Sequence, residues 1–175
     1  GDRVTYTDGL GTMGKGVLGS QALERGDEEK VAKPTRLTVA VAPPANKDRQ
    51  RFLVEKLSEL GVERLIWLET VHGKDRVASQ SKVFSWILAA TEQSRGAWLM
   101  EVADETRRPD QLEPGWVACH PGGSREVPQT STVVIGPEGG FAEGELPEGV
   151  STWDLGPTIL RVETAAIVAA AKLIG

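Results

Sequence analysis

Two glycine-rich segments near the end of the chain hold the residue types best suited to binding a ligand. Residues 136–141 read Gly-Pro-Glu-Gly-Gly-Phe, and residues 155–165 begin with Leu-Gly-Pro. Each follows a short apolar segment and precedes a pattern typical of a helix, which predicts two turns at the carboxyl ends of neighbouring parallel strands. Because glycine has no side chain, the backbone there can approach a ligand closely. We therefore predict one ligand site formed by both turns.

The two turns lack the patterns that bind phosphate. Neither contains Gly-x-Gly-x-x-Gly or Gly-Lys-Ser/Thr, so dinucleotide and P-loop sites are excluded at the level of the motif, and a neutral or weakly charged ligand is favoured. Other reactive side chains are sparse, since His72, His120 and Cys119 have no spacing typical of a metal site or of a catalytic Cys-His pair. We predict no bound metal.

Three charged residues accompany the turns: Glu138, Arg161 and Glu163. Arg161 stands between Leu160 and Val162, where neither a core position nor a solvated surface explains an arginine well. Its predicted role is a fixed cation beside the reacting group. Glu138 is equally explained as a turn residue, and Glu163 as a carboxylate that complements the dipole of the last helix.

Strand and helix patterns alternate through most of the chain. Asn46 and Gly61 are suited to cap the two ends of one helix, between which apolar residues recur at helical spacing. The alternation predicts an α/β fold with a mostly parallel sheet flanked by helices. The predicted strands span residues 37–42, 64–68, 98–102, 116–119, 132–135 and 152–155, the other helices span 82–95 and 162–174, and the loop 107–115 has room for one helical turn.

Residues 1–33 differ from the rest of the chain. Residues 4–7 and 16–19 predict a short hairpin, and residues 24–30 predict a charged connection. Two strands alone are not a stable unit. We therefore expect this segment to be part of a region that is distinct from residues 34–175.

The glycine turns also carry a family resemblance. Ile-Gly-Pro-Glu-Gly-Gly-Phe at 135–141, followed by Leu-Gly-x-x-Ile-Leu-Arg-x-Glu-Thr-Ala at 155–165, resembles the C-terminal signature of the ribosomal RNA small subunit methyltransferase E family, a member of the SPOUT superfamily. Lys47 and the segments 55–62 and 90–95 are similar to further motifs of this family. The resemblance extends over roughly residues 38–175.

The resemblance implies a fold in two parts. Residues 34–175 would form the methyltransferase domain, in which the final helix passes through the loop near residues 120–130 and makes a C-terminal trefoil knot. Residues 1–33 are similar to only the last part of the family's RNA-binding PUA-like β-barrel. On this view the chain is a fragment or its barrel has been lost, and we expect it to bind cofactor but to methylate 16S ribosomal RNA poorly.

The activity implied by the resemblance is transfer of a methyl group from S-adenosylmethionine to the N3 atom of a uridine in 16S ribosomal RNA, by a homodimer. Arg161 would be catalytic, because a cation there stabilises the negative charge on the base. Lys47, Arg49 and Arg95 would contact the RNA. The residues expected to bind the cofactor are His120, Pro121, Ile135, Gly136, Glu138, Gly139, Gly140, Leu155, Gly156, Ile159, Leu160, Glu163 and Thr164.

Some features of the sequence point away from this substrate. A net charge of −5 opposes binding of nucleic acid through a broad positive field. Thr158, the His72-Gly73 pair and the Arg95-Gly96 pair depart from the family's pattern. Two alternatives therefore remain: a SPOUT methyltransferase that acts on another RNA, such as transfer RNA, and a non-catalytic module that binds cofactor or RNA.

The composition predicts an ordinary globular protein, with 39% hydrophobic and 26% charged residues. We find no pattern of a signal peptide and no apolar run long enough for a membrane span. The single cysteine, Cys119, fits a reducing compartment. The predicted location is the cytoplasm.

Overall fold

The computed structural model describes residues 1–73 and 76–175, in which strands and helices alternate. The strands are β1 (Asp2–Thr7), β2 (Thr12–Leu18), β3 (Leu23–Lys30), β4 (Thr38–Val41), β5 (Arg64–Trp67), β6 (Glu101–Val102), β7 (Val117–Ser124), β8 (Thr132–Ile135) and β9 (Ser151–Trp153). The helices are α1 (Lys47–Glu59), α2 (Gln80–Ser94) and α3 (Val162–Ile174), with a 3-10 turn at Pro109–Gln111. Among these helices none has both the length and the apolar character to cross a membrane.

Strands β4 to β9 form one parallel sheet in the order β6-β5-β4-β8-β7-β9. Val39 and Val41 of β4 belong to the apolar cluster that contains residues of all three helices, whereas Ala40 between them belongs to a second cluster. Loop residues such as Phe141 and Leu146 pack on that second cluster. Because both faces are covered, β4 and β8 are nearly continuous apolar runs. The predicted α/β class with a parallel sheet is confirmed.

The helix ends follow from the local sequence. The Asn46 side chain accepts a hydrogen bond from the backbone N–H of Arg49 at 2.9 Å, which begins α1. Gly61 just beyond α1 has a φ of 75°, a conformation that favours glycine. In α3, Ala166 and Ala169 are fully buried, and their small side chains let the helix approach α1 and β8 closely.

Residues 24–30 were predicted as a connection, but they lie within β3, which pairs antiparallel with β2. The pairing uses backbone groups, so exposed charged side chains do not oppose it. One of these charges gains a cross-strand partner, since the Tyr6 hydroxyl donates a hydrogen bond to Glu28 at 2.7 Å. The N-terminal region is therefore a three-stranded sheet, in the order β1-β2-β3, and not a hairpin.

Two further predictions about the elements around the glycine turns are wrong. No helix follows the first turn before β9, because Gly140, Gly144 and Gly149 all have φ values between 73° and 79°, which a right-handed helix does not allow. β7 continues to Ser124 instead of ending at residue 119. Gly123 permits this, since a Cβ there would lie 2.6 Å from the carbonyl carbon of Thr152.

The N-terminal sheet meets the central sheet at the edge where the strands begin. The indole Nε1 of Trp98, just before β6, donates a hydrogen bond to the carbonyl of Val31 at 2.8 Å. The N–H of Gly11 donates to the carbonyl of Ala97 at 2.9 Å. Because the central strands are parallel, this edge is opposite to the one where the glycine turns leave β8 and β9.

Candidate active site

A cavity of about 500 Å³ lies at the carboxyl ends of β7, β8 and β9. Both glycine turns form its walls, as the sequence predicts for loops that leave neighbouring parallel strands. The predicted cofactor residues that line it are His120, Pro121, Ile135, Gly136, Glu138, Gly139, Gly140, Leu155, Gly156, Ile159 and Leu160. The structure therefore brings together all the predicted cofactor residues except Glu163 and Thr164, which do not line the cavity.

The glycines of the two turns serve different purposes. A Cβ built on Gly136 would lie 2.9 Å from the ring of Phe141, so this glycine is required by packing. A Cβ built on Gly140 or Gly156 would meet no heavy atom within 4 Å. These two glycines leave open space inside the cavity, and backbone groups there are accessible to a ligand.

The first glycine turn is held by the segment that follows β5. The Glu145 carboxylate accepts hydrogen bonds at 2.7 Å from the N–H of Val71 and at 2.7 Å from the N–H of Ala142. The Nδ1 atom of His72 lies 3.1 Å from the carbonyl oxygen of Gly140. The sequence assigns no clear role to His72, but in the structure this residue contacts the backbone of the predicted cofactor turn.

The second glycine turn is shaped by a carboxylate and two cations. Asp154 accepts a hydrogen bond from the N–H of Gly156 at 3.0 Å, and this bond is the main cause of its lowered pKa. Arg125, which lines the cavity, lies 3.3 Å from Asp154, and Lys172 donates to the carbonyl of Leu155 at 3.0 Å. Sequence reasoning missed these residues, although an Asp two positions before a turn glycine is typical of an Asx turn.

The inner wall of the cavity is apolar. Trp153 is 1% exposed, and its Nε1 has no hydrogen-bond partner among residues 1–73 and 76–175. Burial raises the pKa of the Cys119 thiol to about 12, so this thiol is protonated at neutral pH and is not an activated nucleophile. Within the described residues no group of three or more His, Cys, Asp or Glu side chains could hold a metal ion.

Arg161 is the residue that precedes α3, and its side chain is exposed. It does not line the cavity, whereas its neighbours Leu160 and Val162 both do. Within the described part of the chain its side chain has no hydrogen bond or salt bridge, and its positive charge helps to lower the pKa of Glu163. Arg161 is thus solvated in the single chain, contrary to the expectation from the sequence, and its catalytic role stays a prediction.

The three residues predicted to contact RNA do not lie together. Lys47 is exposed in the first turn of α1. Arg49, two residues further, directs its guanidinium to the carboxylates of Glu138 and Glu163. Arg95 ends α2 with a φ of 56° and lines a separate cleft between α2 and β1, at the edge of the sheet opposite to the glycine turns.

Comparison with known proteins identifies the family. A sequence model described as an RNA methyltransferase domain matches residues 31–174. The chain belongs to this RNA methyltransferase family. One relative is ribosomal RNA small subunit methyltransferase E of Rickettsia conorii. Its sequence is 27% identical to this chain, and the match covers 98% of this chain and 82% of the relative.

Solved structures of other family members share the fold. A probable rRNA methyltransferase from Porphyromonas gingivalis is 25% identical with a TM-score of 0.85, over 98% of this chain and 83% of that one. A ribosomal RNA small subunit methyltransferase E from Neisseria gonorrhoeae, bound to S-adenosylmethionine, is 22% identical with a TM-score of 0.81, over 97% of this chain and 81% of that one. The family resemblance that was based on the sequences of the two glycine turns is confirmed.

Family membership also confirms the predicted class of enzyme, an RNA methyltransferase. The cofactor expected from the sequence is S-adenosylmethionine. The cavity fits such a cofactor on its own geometry. Open space at Gly140 and Gly156 leaves room for a ligand against bare backbone, and buried Trp153 and Val162 provide apolar surface for a flat base.

Proposed function

We propose that the chain transfers the methyl group of S-adenosylmethionine to the N3 atom of a uridine in 16S ribosomal RNA of the small subunit. The observation that carries the proposal is that both glycine turns line one cavity in a chain of the RNA methyltransferase family. The name of the Rickettsia conorii relative supports the small-subunit RNA as substrate.

In this proposal the cofactor supplies an activated methyl group, and the protein holds the two reactants in line. The apolar slot for adenine is formed by Ile135, Leu155, Ile159 and Leu160. Backbone groups of the glycine turns hold the remainder of the cofactor. The bond from the methyl carbon to N3 forms as the bond from this carbon to sulfur breaks, which leaves S-adenosylhomocysteine, and the imide proton passes to water. Arg161 stabilises the negative charge that develops on the uracil as this proton leaves.

The finer features of the fold belong to the same proposal. We propose that residues 34–175 are a knotted SPOUT methyltransferase domain and that residues 1–33 are part of a PUA-like β-barrel. Close packing of α3, which buries Ala165, Ala166, Ala169 and Ala170, supports the knot, and the antiparallel sheet β1-β2-β3 supports the barrel. A ribosomal substrate also implies a cytoplasmic location.

Deleting the gene should remove one N3-methyluridine from 16S ribosomal RNA, because no other enzyme is expected to modify the same position. Nucleoside mass spectrometry of RNA from purified small subunits measures this loss. Restoring the gene should restore the methyl group. A methyl group missing from transfer RNA instead would assign a different substrate, and unchanged RNA throughout would favour the non-catalytic module.

We also propose that the enzyme is a homodimer in which a second copy covers the second glycine turn. Ile159, one of the predicted adenine contacts, is 81% exposed in the single chain, so it encloses a ligand only when another surface packs over it. Sedimentation equilibrium should give twice the mass of the chain, and Ile159→Asp should shift the protein towards monomer. A parent protein that remains monomeric at all concentrations would contradict the dimer.

A further inference from the structure

Arg49 connects three parts of the chain that are distant in sequence. It lies in the first turn of α1, and its Nε and Nη2 atoms donate to the two carboxylate oxygens of Glu163 at 2.9 and 2.6 Å. Its Nη1 atom forms a salt bridge with Glu138 in the first glycine turn. We propose that Arg49 is a positioning residue for the cofactor cavity, which fastens the first glycine turn to the beginning of α3.

The two ends of this connection differ in exposure and in the element that carries them. The Glu163 side chain is 9% exposed and belongs to a helix that packs on α1 and on β8, so it is a fixed anchor. The Glu138 side chain is 51% exposed and belongs to a loop that lines the cavity. Arg49 therefore transmits the rigidity of the helices to the loop, as a supporting residue does for a binding site.

The surroundings of Arg49 argue against the contact with RNA that was predicted from the sequence. All three nitrogen atoms of its guanidinium contact a carboxylate, so two negative charges lie against one positive charge. The Glu138 and Glu163 carboxylates therefore neutralise the guanidinium charge, which leaves it unavailable to a phosphate group. Burial by itself would raise the pKa of Glu163, but the hydrogen bonds and positive charge of Arg49, a backbone hydrogen bond and the charge of Arg161 together hold this pKa below its usual value. Glu163 therefore stays ionised near neutral pH.

The inference rests on the proposed binding of S-adenosylmethionine in this cavity, and it is tested by a double-mutant cycle. Calorimetry measures S-adenosylmethionine affinity for Arg49→Gln, Glu138→Gln and the double variant. Each single change should weaken binding about tenfold or more, and the double variant should be no weaker than the single variants, because each change breaks the same link. Arg49→Lys should bind with intermediate affinity, since an ammonium group cannot engage both carboxylates in the same geometry.

Arg51→Gln is the matched control, because Arg51 lies on the same helix and its Nε donates to Glu55 at 2.6 Å on an exposed face. It should leave cofactor affinity unchanged. If Arg49→Gln does not fold, because Glu163 loses its buried partner, Arg49→Lys takes its place in the cycle with Glu138→Gln. The cycle is still needed because Glu138 lines the cavity, so Glu138→Gln by itself does not separate the link from a direct contact with the cofactor.

Three results would overturn the inference. Additive losses in the cycle would mean that Glu138 contacts the cofactor independently of Arg49. Weaker binding of a 16S ribosomal RNA fragment by Arg49→Gln, with a smaller salt dependence and unchanged cofactor affinity, would restore the contact with RNA. A lower melting temperature with unchanged affinity in folded Arg49→Gln would show a purely structural role. A parent protein that binds no S-adenosylmethionine would instead contradict the proposed function itself.

Discussion

Replacing Gly140 by valine should abolish binding of S-adenosylmethionine. Gly140 lines the cavity, and a Cβ at this position meets no heavy atom within 4 Å, so the new side chain would extend into the space that the ligand needs. We expect affinity to fall by about 100-fold or more, as measured by isothermal titration calorimetry. The φ of 73° adds a cost in stability of about 1–2 kcal/mol, because a β-branched residue is strained in this conformation.

Gly144→Val separates the two effects. Gly144 has the same φ of 73° and the same open surroundings, but it does not line the cavity. It should lower the melting temperature to a similar extent and leave cofactor affinity close to that of the parent. Gly156→Val offers a second comparison, because Gly156 lines the cavity without a positive φ. Undiminished affinity in both cavity variants would mean that the cofactor binds elsewhere.

Arg161→Ala should remove most methyl transfer and leave cofactor affinity within several-fold of the parent. The proposed charge stabilisation exists only in the transition state, so kcat falls while ground-state binding persists. A single preorganised donor of this kind contributes about 2 to 4 kcal/mol, which corresponds to a loss of roughly 30- to 1,000-fold in kcat. Single-turnover transfer of a radiolabelled methyl group to small subunits measures the rate.

Two controls sharpen the test at Arg161. Arg161→Lys keeps the positive charge but not the planar fork, and it should recover part of the rate. Arg64→Ala removes an arginine that is exposed at the beginning of β5, and it should leave the rate unchanged. If Arg161→Ala weakens cofactor binding as much as it slows transfer, Arg161 belongs to the cofactor site.

The elements that the sequence predicts correctly are those whose formation depends on neighbouring residues. The caps at Asn46 and Gly61, and the apolar runs of β4 and β8, depend on residues within a few positions of each other. The cavity was predictable for a related reason, since parallel strands leave their loops at one edge of the sheet whatever the details of packing. Both glycine turns follow such strands.

Only the tertiary structure decided what the charged residues contact. From the sequence Arg49 is one of several basic residues on a helix, and its partner Glu163 is 114 residues away, so no local pattern connects them. The pairing of β3 with β2 was also not predictable from a local pattern. Backbone groups make this pairing, and the sequence of β3 has no apolar alternation that would indicate a strand. The sequence by itself determined the caps, the buried strands and the two glycine turns, because those depend on backbone conformation and burial. The ion-pair partners of Arg49 and Arg125, and the cleft that Arg95 lines, were decided only in three dimensions, because such contacts depend on where distant segments of the chain meet.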